Sequence, residues 1–388
     1  MRRAACLLVA ASALFLPGCW NRTEVNDLAI VQLSSYDKDG DHYRVAVSFP
    51  LVSQMSGTQG GGGGTGGKEG QNNYVESAEA GAIRTALANL QRKLSRRLYF
   101  AHRRVMIIGE EMAKLGISEI LDNIARFPEN RISTFLLIAK GQALDLMQTP
   151  VLMERIPAEM FREILGNVMK KPVTVKDIIH AILTEGIDPY TLAFERTKTQ
   201  TGGRGEDTIA ISGLAVFRDD RLVGILDAKH TSGVLLALDQ LQRPVFSFQM
   251  PGGNKSITAQ FMQISSDLEP IVAGGDIRMR LTFTGIYEIS TNESEKVLTT
   301  YEGSNRVTEA VENQIRKEVS AAVREVQSLG ADIFGFGSSL KRSHPGVWKK
   351  IGGRWRDLYP HVPVEYRFNI RLEHVGSLNL PIRENVNP

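Results

Sequence analysis

Residues 277–289, with the sequence IRMRLTFTGIYEI, decide the architecture of the C-terminal half of the chain. Apolar and polar side chains alternate along this stretch, as they do in a β-strand with one covered and one solvated face. The covered face would consist of Ile277, Met279, Leu281, Phe283, Tyr287 and Ile289. Residues 364–372, VEYRFNIRL, repeat the pattern, so the sequence predicts antiparallel strands that need a cover on one face.

A long amphipathic helix between these two strands would supply that cover. Apolar residues recur at helical spacing through residues 304–329, and Gly330 follows as a C-terminal cap. The stripe consists of Val307, Val311, Ile315, Val319, Ala322, Val323 and Val326. Before the long strand, residues 208–217 and 222–226 form a predicted hairpin that turns at Asp219-Asp220.

The N-terminal half mixes apolar strands with amphipathic helices. Strands are predicted at residues 25–33, 43–51, 105–108 and 132–139, and helices at 76–97, 110–125, 158–169 and 173–183. Such an order is typical of an α/β or α+β unit. The predicted fold class is therefore multi-domain α+β, with mixed or antiparallel sheets that are each covered by helices, including a long C-terminal helix packed on an antiparallel sheet.

Composition divides the chain into three predicted parts. These are a signal peptide at residues 1–18, an N-terminal α/β-type region at 19–200 and a C-terminal α+β domain at 207–385. The N-terminal region has a predicted division into two subdomains near residues 141–157. Residues 57–70 contain nine glycines in fourteen positions, which predicts a flexible loop or linker.

The start of the chain has the organisation of a secretory signal. Arg2 and Arg3 precede an apolar run at residues 4–16, and Gly18 stands directly before Cys19. The run is shorter than the roughly 20 residues that a membrane-spanning helix needs. We therefore predict cleavage after residue 18 and lipidation of Cys19, with ordinary secretion beside a coincidental cysteine as the alternative.

Cysteine and charge content narrow the function further. Cys6 would leave with the signal peptide and Cys19 would be acylated, so neither an intrachain disulfide nor a thiolate zinc site is expected. Removing Arg2 and Arg3 from 46 basic residues leaves 44 against 43 acidic residues, a net charge of +1. This balance argues against a general nucleic-acid binder, so no nucleic-acid partner is expected.

Catalytic and cofactor motifs are not apparent in the sequence. The glycine-rich run resembles a phosphate-binding loop at residues 62–68, but Glu69 stands where serine or threonine would bind magnesium. The seven histidines show no H-E-x-x-H spacing, and no G-x-S-x-G motif occurs. We therefore expect no enzymatic activity, no cofactor and no metal site.

The densest positive patch lies at residues 92–104. It contains Arg92, Lys93, Arg96, Arg97, Arg103 and Arg104, interleaved with Tyr99, Phe100 and His102. We interpret it as a solvated helix C-terminus, where cations offset the helix dipole. The alternative is a surface for anionic lipid headgroups, where each charge contributes about 1 kcal/mol.

Two phenylalanines follow the long helix in the segment ADIFGFG, residues 331–337. We predict that Phe334 and Phe336 anchor the helix end in the core, since exposed pairs of phenylalanines are rare in soluble domains. An exposed contact for a partner protein is the alternative.

Several segments together resemble one family, the Ger(x)C spore germination lipoproteins. They are residues 19–22 (CWNR) with 24–29 (EVNDLA), 95–102 (SRRLYFAH) leading into 105–111, 213–217 (GLAVF) with 222–224 (LVG), and 331–337 with Trp348 and Trp355. The segments follow in the expected order through nearly the whole mature chain. The glycine insert at 57–70 and Pro17 before the cleavage site depart from the pattern.

The resemblance implies the C subunit of a nutrient germinant receptor, multi-domain α+β and without catalytic activity. Such a subunit is tethered through a lipid on Cys19 to the outer face of the spore inner membrane. It would act with integral-membrane A and B subunits to trigger germination. Two alternatives remain: a solute-binding lipoprotein of a transporter, which needs two similar lobes around a cleft, and an anchored envelope hydrolase.

Overall fold

Two large β-sheets, of eight and four strands, and one small two-stranded sheet organise the described part of the chain. The computed structural model describes residues 24–50, 73–151, 153, 154, 156–199, 205–250, 255–294, 298 and 300–374. The predicted signal peptide and the glycine-rich residues 57–70 lie outside the described residues.

The secondary structure follows the chain in this order. The strands are β1 (Leu28–Ile30), β2 (Leu33–Asp39), β3 (His42–Pro50), β4 (Asn73–Ala80), β5 (Arg97–Tyr99), β6 (Val105–Gly109), β7 (Phe135–Ala139), β8 (Tyr190–Lys198), β9 (Asp207–Arg218), β10 (Arg221–Leu226), β11 (Val245–Gln249), β12 (Ser256–Ala273), β13 (Asp276–Asn292) and β14 (Val364–His374). The helices are α1 (Ile83–Arg92), α2 (Glu110–Leu115), α3 (Ser118–Ala125), α4 (Ala143–Gln148), α5 (Pro157–Val168), α6 (Val175–Leu183), α7 (Ala228–Ala237), α8 (Tyr301–Ser328), α9 (Phe336–Ser343), α10 (Pro345–Ile351) and α11 (Trp355–Leu358).

The larger sheet has eight strands in the order β10-β9-β8-β7-β6-β2-β3-β4. Its centre, from β2 through β6 and β7 to β8, is parallel, and the strands on both sides pair antiparallel. All five residues of β6 are buried, as expected of a central parallel strand covered on both faces. A separate two-stranded parallel sheet joins β1 to β5.

The hairpin of β9 and β10 belongs to this larger sheet. The sequence placed the hairpin in the C-terminal domain, but β9 pairs with β8 from Tyr190↔Val216 to Lys198↔Asp207. The sheet therefore crosses the domain boundary that was predicted at residues 200–207. The physical reason is that the edge of β8 facing away from β7 needs a hydrogen-bonding partner. The hairpin supplies it through β9.

The smaller sheet has four strands in the order β11-β12-β13-β14. The first three pair antiparallel, whereas β14 runs parallel to β13. This pairing differs from the antiparallel one that the alternation at residues 364–372 predicted. Alternation reports only which face is covered, while the direction of β14 depends on the helical connection that returns the chain beside β13.

The predicted long helix is confirmed as α8, with 28 residues, and Gly330 follows it at a positive φ of 65°. Every residue of the predicted stripe is buried against the sheet and α7. Two further contacts tie α8 to the sheet. The hydroxyls of Tyr287 and Thr308 lie 2.7 Å apart, and the guanidinium of Arg316 lies 4.8 Å from the ring centre of Phe368.

The two sheets share one hydrophobic core. Buried side chains run without interruption from the eight-stranded sheet, through α7, to the underside of α8 and the four-stranded sheet. Helix α7 lies so close to α8 that a Cβ on Gly233 would stand 2.8 Å from the Cβ of Ala322. The two halves therefore pack as a continuous body.

Candidate functional site

Cys19, the predicted lipidation site, lies outside the described residues. The described chain begins at Glu24, and β1 then pairs with β5 in the register Leu28↔Arg97. Cys19 and Leu28 are nine positions apart, a span of at most about 32 Å when fully extended. The positive patch at residues 92–104 therefore lies within reach of the predicted anchor.

A cluster of polar contacts joins the two halves at Asp188, which is 3% exposed. Its carboxylate accepts two hydrogen bonds from the guanidinium of Arg356, at 2.8 and 3.0 Å. It also accepts from the backbone N–H groups of Asp219 and Asp332, at 2.9 and 2.8 Å. Four charge-assisted hydrogen bonds on one buried carboxylate hold together the loop before β8, the β9–β10 turn and the segment after α8.

Asp332 is the second buried carboxylate of this junction. It accepts from the backbone N–H groups of Phe336 and Gly337 and from the indole N–H of Trp355, at 2.8–2.9 Å. Burial raises the pKa of Asp332 to about 7, and the neighbouring Asp188 charge acts in the same direction. We call Asp188, Asp219, Asp332, Trp355 and Arg356 the junction cluster.

Glycine makes this junction possible at two positions. Gly186 has a φ of 77°, and a Cβ there would stand 2.5 Å from the backbone carbon of Gly337. A Cβ on Gly337 would stand 2.5 Å from the indole nitrogen of Trp355. The loop before β8 and the start of α9 therefore meet backbone to backbone, which a larger side chain would prevent.

The aromatic residues beyond α8 lie in the core. Phe334 and Phe336 are 7% and 0% exposed, and their rings stack with centroids 5.4 Å apart. This confirms the predicted anchoring role and contradicts the alternative of an exposed contact. Trp348 and Trp355 are also buried, with ring centroids 5.5 Å apart.

A cleft of about 590 Å³ opens beside the junction cluster. Glu185 stands at its edge, where it accepts from the Lys341 ammonium at 2.9 Å and from the Trp348 indole at 3.2 Å. Two aspartates that line the cleft, Asp188 and Asp219, pair with Arg356. Lys349 also lines the cleft and forms no ion pair with the described residues. The paired groups hold the two halves of the chain together.

The positive patch divides into one buried and several exposed cations. Arg92, Lys93, Arg96, Arg97 and Arg104 are exposed, whereas Arg103 is 3% exposed. Arg97 pairs with Glu129 at 2.7 Å, and Arg104 pairs with Glu159. Helix α1 ends at Arg92, so the helix-end explanation covers only Arg92 and the capping Lys93. Sequence reasoning did not single out Arg103, because burial of one arginine in a charged run leaves no local signal.

The described residues hold neither a bilayer-spanning helix nor a cluster of metal-binding side chains. No helix among them combines the length and apolar character needed to cross a bilayer. No group of three or more histidine, cysteine, aspartate or glutamate side chains within these residues is arranged to hold a metal ion.

Both halves of the chain match families of germination proteins. Residues 21–195 match the family described as "Spore germination protein N-terminal domain". Residues 212–376 match the family described as "Spore germination B3/ GerAC like, C-terminal". The two matches leave residues 196–211 between them.

Curated relatives align along their whole length. The Bacillus subtilis protein YfkR is 34% identical across 96% of this chain and 97% of its own. Spore germination protein KC of the same organism is 26% identical across 97% of each chain. Spore germination protein B3 is 20% identical across 94% of this chain and 96% of its own.

A solved structure has the same fold. The crystal structure of the GerBC protein superposes with a TM-score of 0.56, covering 88% of this chain and 97% of that one, at 15% sequence identity. The resemblance seen in the sequence is thereby confirmed from both halves of the chain and from the fold. The chain belongs to the Ger(x)C family of spore germination proteins.

Proposed function

We propose that this chain is the lipid-anchored C subunit of a spore nutrient germinant receptor. One observation carries the proposal: similarity to spore germination proteins extends over nearly the entire chain, with the N- and C-terminal families in order. The absence of a catalytic motif from the sequence supports a non-enzymatic role.

In this proposal a lipid on Cys19 holds the protein at the outer face of the spore inner membrane. A diacylglyceryl group with two chains suffices for stable anchoring, whereas a single chain gives only marginal binding. Anchoring raises the effective concentration of the subunit beside the integral-membrane A and B subunits. The result is assembly of the receptor in the plane of the membrane.

The fold supports a role in relaying a signal. The continuous core and the junction cluster connect the eight-stranded sheet to the four-stranded sheet. A displacement that the A or B subunit imposes on one half would then move the other half with it. A solute-binding lipoprotein would instead need two similar lobes, and the two sheets here differ in size and topology.

The anchoring step is tested by replacing Cys19 with alanine in the sporulating organism. We expect Cys19→Ala to abolish palmitate labelling of the protein, to release it from spore inner membranes and to impair germination on nutrients. Cys6→Ala is the matched control, since it removes the other cysteine within the predicted signal peptide. Full membrane retention and normal germination of the Cys19→Ala strain would refute the anchor.

The assembly step is tested by purification from detergent-solubilised spore membranes. An affinity tag on this chain should recover integral-membrane subunits of the A and B type. Recovery of transporter permeases in their place would favour the solute-binding alternative.

A further inference from the structure

A second concave surface lies between α1, α3 and β5. It is a groove of about 420 Å³. We call it the basic groove and define it by six of its lining residues, which are Tyr36, Leu87, Phe100, Arg103, Phe127 and Asn130.

Arg103 forms the floor of the basic groove and has no acidic partner among the described residues. Its guanidinium donates to neutral oxygens only: the hydroxyls of Ser34 and Tyr36, both at 3.4 Å, and the side-chain carbonyl of Asn130 at 3.2 Å. Its Nε is buried and donates to no atom of the described chain. The ring of Phe100 lies 5.5 Å away.

This arrangement leaves a positive charge that is buried and not neutralised. A lysine or histidine in such a place could lose its proton, but arginine stays charged at all physiological pH values. Buried charges are otherwise paired or bound to ions, because an isolated buried charge is strongly unfavourable. A guanidinium presents a planar fork of donors that matches the oxygens of a carboxylate or phosphate.

The groove as a whole has the charge and apolar surface expected of a site for an organic anion. Three arginines and one glutamate line it, which leaves an excess of two positive charges. Glu129 is already paired with Arg97, and the guanidinium of Arg84 lies 4.3 Å from the ring centre of Phe127. Apolar surface from Leu87 and Phe127 stands above the charged floor, which is the usual composition of a small-ligand site.

We propose that the basic groove binds an oxyanion, a carboxylate or phosphate group, through the guanidinium of Arg103, with an apolar portion of the ligand against Phe100 and Phe127. Such a group could come from a small soluble metabolite or from the headgroup of an anionic phospholipid. The proposal goes beyond the receptor role, because it assigns a ligand class to residues that serve no contact between the halves.

The test uses residues 19–388 carrying Cys19→Ala, so that no acyl chain contributes to binding. Calorimetric titrations with sodium phosphate and sodium benzoate, against sodium chloride at equal ionic strength, probe soluble anions. Sedimentation with vesicles of phosphatidylglycerol, compared with phosphatidylcholine, probes the headgroup source. Arg103-dependent binding in either arm supports the proposal and identifies the source.

Three variants locate the binding. Arg103→Gln should weaken it by about tenfold or more, since hydrogen bonds to charged groups contribute that much. Ala88→Trp should obstruct the groove without changing its charge, because Ala88 is exposed on α1 and lines it. Arg96→Gln is the matched control: it removes one exposed positive charge from the same patch but does not line the groove.

Two results would overturn the proposal. One is no binding in either arm at about 10 mM anion, well above a millimolar dissociation constant. The other is binding that survives both Arg103→Gln and Ala88→Trp. Because Ala88→Trp leaves Arg103 in place, the test holds even if Arg103→Gln fails to fold.

Discussion

Asp188 and Arg103 are both 3% exposed, yet the two buried charges have different surroundings. The carboxylate of Asp188 meets four donors, two of them from the guanidinium of Arg356. The guanidinium of Arg103 meets three neutral oxygens at 3.2–3.4 Å. A buried charge whose hydrogen bonds are all made by the protein, as at Asp188, has a structural role. A buried charge without an ionic partner, as at Arg103, retains hydrogen-bonding capacity for a ligand.

The largest effect is expected at Asp188. Asp188→Ala would leave Arg356 without its buried partner and two backbone N–H groups without an acceptor. The Arg356 side chain is 47% exposed, so much of the cost comes from the two N–H groups, at about 1–3 kcal/mol each, and the free energy of unfolding should fall by about 3–5 kcal/mol in total. Urea unfolding followed by circular dichroism measures the loss.

Glu185→Ala is the control for this measurement. Glu185 also forms an ion pair at the junction cleft, but its side chain is 69% exposed, so its loss should cost less than about 1 kcal/mol. Equal losses of unfolding free energy from the two substitutions would mean that the junction cluster contributes no more to stability than an exposed ion pair.

A smaller effect is expected where the two backbones meet. Gly337→Ala would place a Cβ 2.5 Å from the Trp355 indole nitrogen and 2.8 Å from the Cα of Gly186. Relieving such an overlap should cost about 1–3 kcal/mol, measured as a lower urea midpoint. Gly346→Ala, with nothing within 4 Å of the new Cβ, should leave the midpoint unchanged or raise it slightly. A harmless Gly337→Ala would show that the junction is loosely packed.

The protonation state of Asp332 can be tested through the pH dependence of the free energy of unfolding. Its pKa is about 7 in the folded protein against an ordinary value of 3.8, so the folded state holds a proton that the unfolded state releases. Its contribution to stability is therefore present below about pH 4 and is lost as pH rises through about 7. Relative to an Asp332→Asn variant, the wild-type protein should lose up to about 1.4 kcal/mol per pH unit within this window.

Urea midpoints of both proteins at pH 5, 6, 7 and 8 measure this difference. Asp357→Asn, at an exposed position on the neighbouring helix α11, controls for the loss of a carboxyl group. A wild-type curve parallel to that of Asp332→Asn would show that the three donors hold Asp332 ionised throughout.

Regular elements with one solvated face could be predicted from the sequence. The alternation in β13 and the apolar stripe of α8 each report a single covered face, and both predictions hold. Strand β12 escaped prediction because irregular register near Thr258 and Phe261 interrupts its alternation, and residues beyond 264 are mostly solvated. Helix α7 escaped because residues 233–237 are all buried, so no one-sided stripe marks it.

Neither the junction cluster nor the basic groove could be predicted, for a common reason. Asp188 and Asp332 are 144 positions apart, and Arg103 meets Ser34 across 69 positions. Local patterns carry no information about such pairings. The positive patch drew attention to Arg103 only as one of six cations, and packing of α1, α3 and β2 around it decides that this one is buried.

The smallest effect on stability is expected at Arg103. This measurement distinguishes most directly a structural charge, as in the junction cluster, from a ligand-binding charge, as proposed for the basic groove. Arg103→Met keeps most of the apolar side chain and removes a buried charge that lacks an anionic partner. Apolar replacement of buried charges is often neutral or stabilising, so in chloride buffer the free energy of unfolding should change by less than about 1 kcal/mol. Added phosphate should then stabilise the wild-type protein alone, because a ligand that binds only the folded state raises its stability. A loss of about 3 kcal/mol or more in chloride, as expected for Asp188→Ala, would instead mean that the bonds to Ser34, Tyr36 and Asn130 suffice to make Arg103 a structural residue.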